Sequence, residues 1–124
     1  CVYAHLLSEG RDFKTCGRPC DKNAVSLRDR AGMDHPVEAD VGCRNTVFHA
    51  AAQSAASLVP ALAARGVARF RVELVREDAA QVARIVASYK DLLASRTSPS
   101  DVVRALRAGG GYGVVRGSLR VLDA

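Results

Sequence analysis

The chain has 124 residues, of which 48% are apolar and 25% are charged, and its formal net charge is +5. This composition is typical of one soluble globular domain, or of a piece of one, and argues against a disordered or fibrous chain. No stretch approaches the roughly 18 apolar residues of a membrane span, and no signal peptide is visible, so we expect a cytoplasmic protein. The basic residues alternate with acidic ones, which makes the charge weak evidence for nucleic-acid binding.

Residues 1–49 are predicted to form a cysteine-rich segment that contains a β-hairpin. We expect a short helical turn at residues 2–8 and then a loop, because glycine and proline residues follow. Apolar and polar residues alternate in 24–29 and again in 36–41, with a turn-forming Ala-Gly-Met-Asp between them. That pattern predicts two paired strands. Residues 42–46 are predicted to be a polar connection.

Residues 50–96 are predicted to form a helix, a strand and a second helix. Residues 50–64 are rich in helix formers and are expected to be helical, with a break before Pro60. Gly66 stands where a left-handed helix end is expected, and β-branched and aromatic residues in 67–75 predict a strand. Helical spacing of apolar residues in 77–95 predicts the next helix.

Residues 97–124 are predicted to be a C-terminal extension. Ser98 is expected to cap a short helix that continues to Leu106, the glycine-rich residues 109–113 to form a break, and residues 114–122 to form a last strand. The alternation of helix and strand predicts an α/β fold. Because an eight-stranded α/β barrel needs about 250 residues, we expect this chain to be the C-terminal part of such a barrel.

The predicted strand 67–75 supplies the candidate catalytic residues. Its alternation places Arg71 and Glu73 on the polar face, which inside a barrel would face the lumen near the catalytic end. Arg71 is then a candidate for binding a carboxylate or phosphate. The alternative is an edge strand whose solvated face carries an Arg-Glu ion pair.

The four cysteines are the strongest chemical signal in the sequence. They are Cys1, Cys16, Cys20 and Cys43, so all of them fall in the first third of the chain. This grouping indicates a single site. Thiolates on a glycine-containing loop are typical of iron-sulfur ligation, and basic residues around the loop would favour the ionised thiols. Those basic residues are Arg11, Lys14, Arg18 and Lys22.

Spacing alone leaves other interpretations of the cysteines open. Structural zinc also uses four cysteines, although only Cys16 and Cys20 have the short separation that is usual for zinc. Two disulfides would suit an exported protein, and free thiols are the remaining alternative.

Four sequence blocks resemble the collagenase-like peptidase family, designated U thirty-two. They are residues 16–20 (CGRPC), 27–32 (LRDRAG), 42–48 (GCRNTVF) and 58–73 (LVPALAARGVARFRVE), in the same order as in that family. The resemblance covers roughly residues 1–95. Many members carry two cysteines a few residues apart where this chain has Cys1 alone.

The resemblance implies an α/β barrel (TIM barrel) with a cysteine-bearing segment. Several members are hydroxylases that hold a 4Fe-4S cluster with four cysteines and act on RNA or on ubiquinone precursors. Carried over by position, the resemblance implies Cys1, Cys16, Cys20 and Cys43 as cluster ligands. It further implies an RNA or small aromatic substrate and a partner subunit of the same family.

Arg44 and Asn45 are additional candidates for substrate binding, because they follow Cys43 directly. The alternative for Arg44 is an ion pair with Asp40 at the end of the hairpin. Two other functions stay open at this point: a collagenase-like peptidase, as the family name implies, and a non-catalytic binding module stapled by zinc.

Overall fold

A computed structural model describes residues 1–10, 12–108 and 111–116. The chain divides into two compact units, Cys1–Ala50 and Ala51–Ala124. Both units combine helices with strands, in agreement with the predicted mixed α/β class. Within the described ranges, none of the helices has the length and apolar character that crossing a membrane requires.

The first unit is a small antiparallel sheet with a helix and a turn packed on it. Its strands are β1 (Val25–Arg28), β2 (Asp34–Ala39) and β3 (Asn45–Val47), in the order β1-β2-β3. Helix α1 (Val2–Leu7) and a 3-10 turn (Pro19–Asp21) precede them. The predicted hairpin and first helix are confirmed. The short strand β3 was not predicted, because a three-residue strand gives almost no alternation to recognise.

Asp29 organises the turn between β1 and β2. Its Oδ1 accepts the backbone N–H groups of Ala31 and Met33, at 2.8 and 2.9 Å. Its Oδ2 lies 3.1 Å from Nε2 of His35, whose Nδ1 accepts the N–H of Ala50. These partners assign the proton of neutral His35 to Nε2. The hydrogen bond from His35, followed by that from Met33, lowers the pKa of Asp29.

The core of the first unit is centred on one aromatic residue. Tyr3, Val25 and Val37 are buried together, and Val2, Cys20 and Ala39 pack against them. The Tyr3 hydroxyl donates to the carbonyl oxygen of Val37 at 2.6 Å. A buried hydroxyl needs such a partner, so Tyr3 fixes both the position and the orientation of α1 on the sheet.

The second unit is mainly helical. Its helices are α2 (Val59–Ala64), α3 (Ala79–Leu93) and α4 (Pro99–Arg107), with a 3-10 turn at Ala56–Leu58. Two short strands, β4 (Ala52–Gln53) and β5 (Val114–Val115), pair in parallel. The buried core consists of Ala56, Val59, Leu92 and Val102.

Helices α3 and α4 confirm two predictions. Asp78 caps α3 through a capping box with Gln81, and the Ser98 side chain accepts the N–H of Asp101 at the start of α4. Gly66 has the expected positive φ, 90°. Gly109, Gly110 and residues 117–122 of the predicted break and last strand lie outside the described residues.

The prediction of one helix over 50–64 was wrong. This stretch instead holds β4, the 3-10 turn and α2. Pro60 does not break a helix but lies in the first turn of α2, where the missing N–H has no intrahelical partner to lose. The alanines of 50–56 favour a helix by propensity, yet the N–H groups of Ala52 and Ser54 donate to the carbonyl oxygens of Gly113 and Val115 in the pairing with β5.

The predicted strand 67–75 is also not formed, since this segment lies outside every helix and strand. A strand requires a neighbour to complete its hydrogen-bond ladder. Within the described ranges, no backbone hydrogen bond joins residues 68–74 to another part of the chain. Burial does not alternate along the segment either: Val72 and Leu74 are each 39% exposed, whereas Phe70 packs on the core.

Val37 and Val41 offer a matched test of the first core. Val37 is 0% exposed and Val41 is 98% exposed. We expect Val37→Ala to lower the free energy of unfolding by about 2 kcal/mol, because two methyl groups and their packing are lost. Val41→Ala should change it by less than about 0.5 kcal/mol. Urea unfolding measures both, and equal effects would contradict the assigned core.

Asp29 predicts a defined dependence of stability on pH. Because folding lowers its pKa from 3.8, its contribution is complete above that pH and is lost as the pH falls through the folded pKa. The melting temperature of Asp29→Asn should therefore lie below wild type at neutral pH, and the gap should narrow on acidification. Melting curves from about pH 7 to about pH 3 test this. A gap of constant size would argue against it.

Candidate metal centre

All four cysteines line one cavity in the first unit. The cavity has a volume of about 450 Å³. Cys1 precedes α1, Cys16 and Cys20 flank the start of the 3-10 turn, and Cys43 lies in the turn between β2 and β3. All four are free thiols. Residues up to 42 positions apart in sequence are thus brought to one place.

The loop from Cys16 to Cys20 has a backbone that directs an N–H group at a sulfur. Gly17 and Arg18 both have positive φ, 66° and 52°. In this conformation the backbone N–H of Arg18 donates to Cys16 Sγ at 3.4 Å. The left-handed backbone of Arg18 costs about 1–2 kcal/mol. N–H groups of this kind stabilise thiolate ligands of iron-sulfur clusters.

A second segment, residues 8–10, is hydrogen-bonded to the backbone of Cys16, and we call it the loop behind Cys16. The Ser8 hydroxyl donates to the carbonyl oxygen of Cys16 at 2.8 Å and accepts the N–H of Gly10 at 3.0 Å. A Cβ at Gly10 would lie 2.2 Å from the carbonyl oxygen of Thr15. Only glycine fits this close approach, so Gly10 is required for the path of the loop.

Cys43 is presented by a tight turn that one carboxylate organises. Asp40 accepts the N–H of Gly42 at 2.8 Å and binds the Arg44 guanidinium at 2.7 Å. Its backbone carbonyl accepts the N–H of Cys43, which has a φ of 60°. The hydrogen bond from the Arg44 side chain is the main cause of a lowered pKa at Asp40. Cys43 is exposed at the turn, beside the cavity.

Three carboxylates line the cavity together with the thiols, and each is already engaged. Asp21 is paired with Arg18 at 3.0 Å, and Asp40 with Arg44. Asp12 accepts the Thr15 hydroxyl, which is the largest cause of its lowered pKa. Ion pairs and turn hydrogen bonds therefore offset part of the negative charge that would oppose ionised thiols.

The basic residues that were expected around the cysteines have different positions. Arg18 lines the cavity, whereas Lys14 and Lys22 are exposed and do not line it. Arg11 lies outside the described residues. Two described arginines offset negative charge at the cavity: Arg18 pairs with Asp21, and Arg44 pairs with Asp40.

The thiol protons occupy weak hydrogen bonds. Cys16 Sγ lies 3.9 Å from the carbonyl oxygen of Phe13, and Cys20 Sγ lies 3.9 Å from Asp21 Oδ1. Binding of a metal at these sulfurs would replace both contacts.

The cavity has the size of a polynuclear group. Within residues 1–10, 12–108 and 111–116, no three Cys, His, Asp or Glu side chains form a group that could hold one metal ion. The four thiols line one cavity but do not form a site for a single ion. The eight iron and sulfide atoms of a 4Fe-4S cluster, at about the 30 Å³ of a water molecule each, need about 240 Å³. The donor set and the space fit such a cluster.

The other candidate site residues lie elsewhere or have structural partners. Arg71 and Glu73 belong to the second unit, where they form an exposed ion pair of 2.6 Å. They border a groove of about 520 Å³ whose lining includes Phe70. Arg44 is engaged by Asp40 and does not line the cysteine cavity. Asn45 accepts the N–H of Val2 at 2.6 Å.

Sequence reasoning did not identify three residues that shape this site. Ser8 and Gly10 fix the loop behind Cys16, and Asp12 closes the turn before it. The spacing Asp12-x-x-Thr15 is a turn signal that was available in the sequence. The close approach at Gly10 depends on a contact five residues away, which no local pattern reveals.

Comparison of the chain with protein-family models, with curated proteins and with solved structures gave no match.

Gly10 and Gly32 test whether the loop behind Cys16 is as tightly built as described. A Cβ at Gly32, with φ 82°, would meet nothing within 4 Å. Gly32→Ala should cost about 1 kcal/mol through backbone strain alone. Gly10→Ala should cost about 3 kcal/mol, because a backbone clash is added. Urea unfolding gives both values, and a smaller effect at Gly10 would refute the close approach.

Proposed function

We propose that the first unit binds a 4Fe-4S cluster through Cys1, Cys16, Cys20 and Cys43. The observation that supports this proposal is that all four thiols line one cavity large enough for the cluster. Chain segments from three separate places supply them, so the cavity belongs to the fold and not to one local loop. When bound, the cluster supplies electron transfer or a reactive iron at the site.

The residues around the thiols support this cofactor in three ways. The Arg18 N–H donates to Cys16 Sγ. Arg18 and Arg44 offset nearby carboxylates. The contact of Cys20 with the core formed by Tyr3, Val25 and Val37 excludes water from one side of the site. The first two features would stabilise the negative charge of metal-bound sulfur, and the third would shield the site from solvent.

We further assign the chain to the C-terminal part of an α/β-barrel enzyme of the collagenase-like peptidase type, family U thirty-two. The proposed activity is oxygen transfer of the hydroxylase type to RNA or to an aromatic quinone precursor. Support comes from the four sequence blocks in family order and from the helices around residues 58–93. Arg71 and Glu73 would then be candidate catalytic residues of that enzyme, and a related subunit is a proposed partner.

A reducing compartment suits this proposal. The four thiols are free, and disulfides are rare in the cytoplasm. We therefore propose a cytoplasmic location. Structural zinc is the competing occupant of the same four thiols, and it would make the first unit a binding module without chemistry of its own.

Anaerobic reconstitution with ferrous iron and sulfide tests the cofactor. We expect about four irons and four sulfides per chain, with broad visible absorption. Cys16→Ala and Cys20→Ala should each abolish the absorption, because each removes one of the four proposed ligand sulfurs. Val41→Ala is the matched control, since its side chain also borders the cavity but carries no donor atom.

A different result would change the assignment. A colourless protein that retains about one zinc per chain after dialysis would favour the zinc-stapled module. Iron that is bound equally by wild type and by Cys20→Ala would show that the metal lies outside the cysteine cavity, and would contradict the proposal.

A further inference from the structure

Asn45 joins two of the cysteine-bearing segments. Its Oδ1 accepts the backbone N–H of Val2 at 2.6 Å, across 43 positions of sequence. Val2 follows Cys1 directly, and Asn45 lies two residues after Cys43. One side chain therefore fixes the first turn of α1 against the start of β3. Through these two elements it sets the separation of two thiols.

The other half of the Asn45 amide has no partner. Its Nδ2 is buried and, within the described part of the chain, makes no hydrogen bond. A buried donor without an acceptor costs about 1–3 kcal/mol, and native proteins hold few of them. Exchanging the two ends of the amide would not help, because the N–H of Val2 requires the oxygen.

Asn45 lies beside the wall of the cavity. It pairs with Ala39 in the β2–β3 ladder, and Ala39 lines the cavity together with Asp40 and Cys43. Asn45 thus lies two residues from Cys43 in sequence and opposite a cavity-lining residue in the sheet. A metal-bound cysteine sulfur is the acceptor that loading of the site would add.

We infer that Asn45 is the positioning residue of the cluster site. Its Oδ1 holds Cys1 at the start of α1, and its Nδ2 donates to the thiolate sulfur of Cys1 or Cys43 once the site is loaded. The inference rests on the proposed cluster. Hydrogen bonds to ligand sulfurs stabilise the more negative, reduced state and raise the reduction potential. Asn45 therefore tunes the cluster as well as holding its ligands.

Two variants distinguish the role of the Asn45 amide oxygen from that of its NH₂ group. Asn45→Asp keeps the oxygen that Val2 needs and removes the donor, whereas Asn45→Leu has similar volume and removes both. Asn23→Asp is the matched control, because it adds the same negative charge at an exposed residue near Cys20 and also removes an amide donor, which there bonds the carbonyl oxygen of Pro19 and not a sulfur. Each protein is reconstituted anaerobically. Iron content, the melting temperature before loading and the midpoint potential at about pH 8 are then measured.

We expect Asn45→Leu to melt at a lower temperature and to bind several-fold less iron. Asn45→Asp should load, with a midpoint potential more negative than those of wild type and Asn23→Asp.

Two results would overturn the inference. One is a midpoint potential for Asn45→Asp equal to that of Asn23→Asp, which would leave charge as the only effect. The other is wild-type iron content in Asn45→Leu. Failure of the proposed cluster itself is distinguishable, because wild type would then bind no iron and sulfide before any variant is compared.

Discussion

The contact between Tyr3 and Val37 is the interaction on which the first unit depends. It buries an aromatic ring and closes a 2.6 Å hydrogen bond between a helix and the central strand. Because α1 is only six residues long, it has little stability of its own, and tertiary packing must hold it. Cys1 precedes this helix and Cys20 packs on the same core, so one buried contact orders two thiols. The sheet that receives the ring also ends in the turn that carries Cys43.

Around that core, turns and not regular elements present the sulfur atoms. Cys43 and Arg18 have left-handed backbones, and short polar side chains accept the N–H groups that such turns leave unpaired. Asp12 and Asp40 perform the same task in two loops, each closing a turn just before a cysteine. Backbone strain of this kind persists only where surrounding contacts determine the conformation. The proposed cluster would draw on this rigidity, because its ligands must be held at fixed separations.

The sequence was informative where local signals are strong, and uninformative where a distant partner decides the structure. The helical spacing in 77–95, the cap Ser98 and the alternation in 24–29 and 36–41 marked α3, α4 and the hairpin within a few residues. The grouping of the cysteines indicated one site, and the structure places all four on one cavity. The strand expected at 67–75 had the right alternation, but no described segment supplies its ladder. The close approach at Gly10 and the bond from Val2 to Asn45 depend on contacts that no local pattern reveals.

The backbone of Cys43 is left-handed, so the stability of the unloaded chain and the retention of a thiol favour different residues at this position. Glycine would take the same φ of 60° without the steric penalty of about 1–2 kcal/mol that a Cβ brings. A laboratory screen for heat-resistant variants of the unloaded protein would therefore enrich glycine at this turn and discard the thiol. If the proposed cluster binds, a screen that scores its colour would keep the cysteine and accept the less stable chain. At residue 43, selection for heat resistance would thus favour glycine, whereas selection for binding of the proposed cluster would favour cysteine.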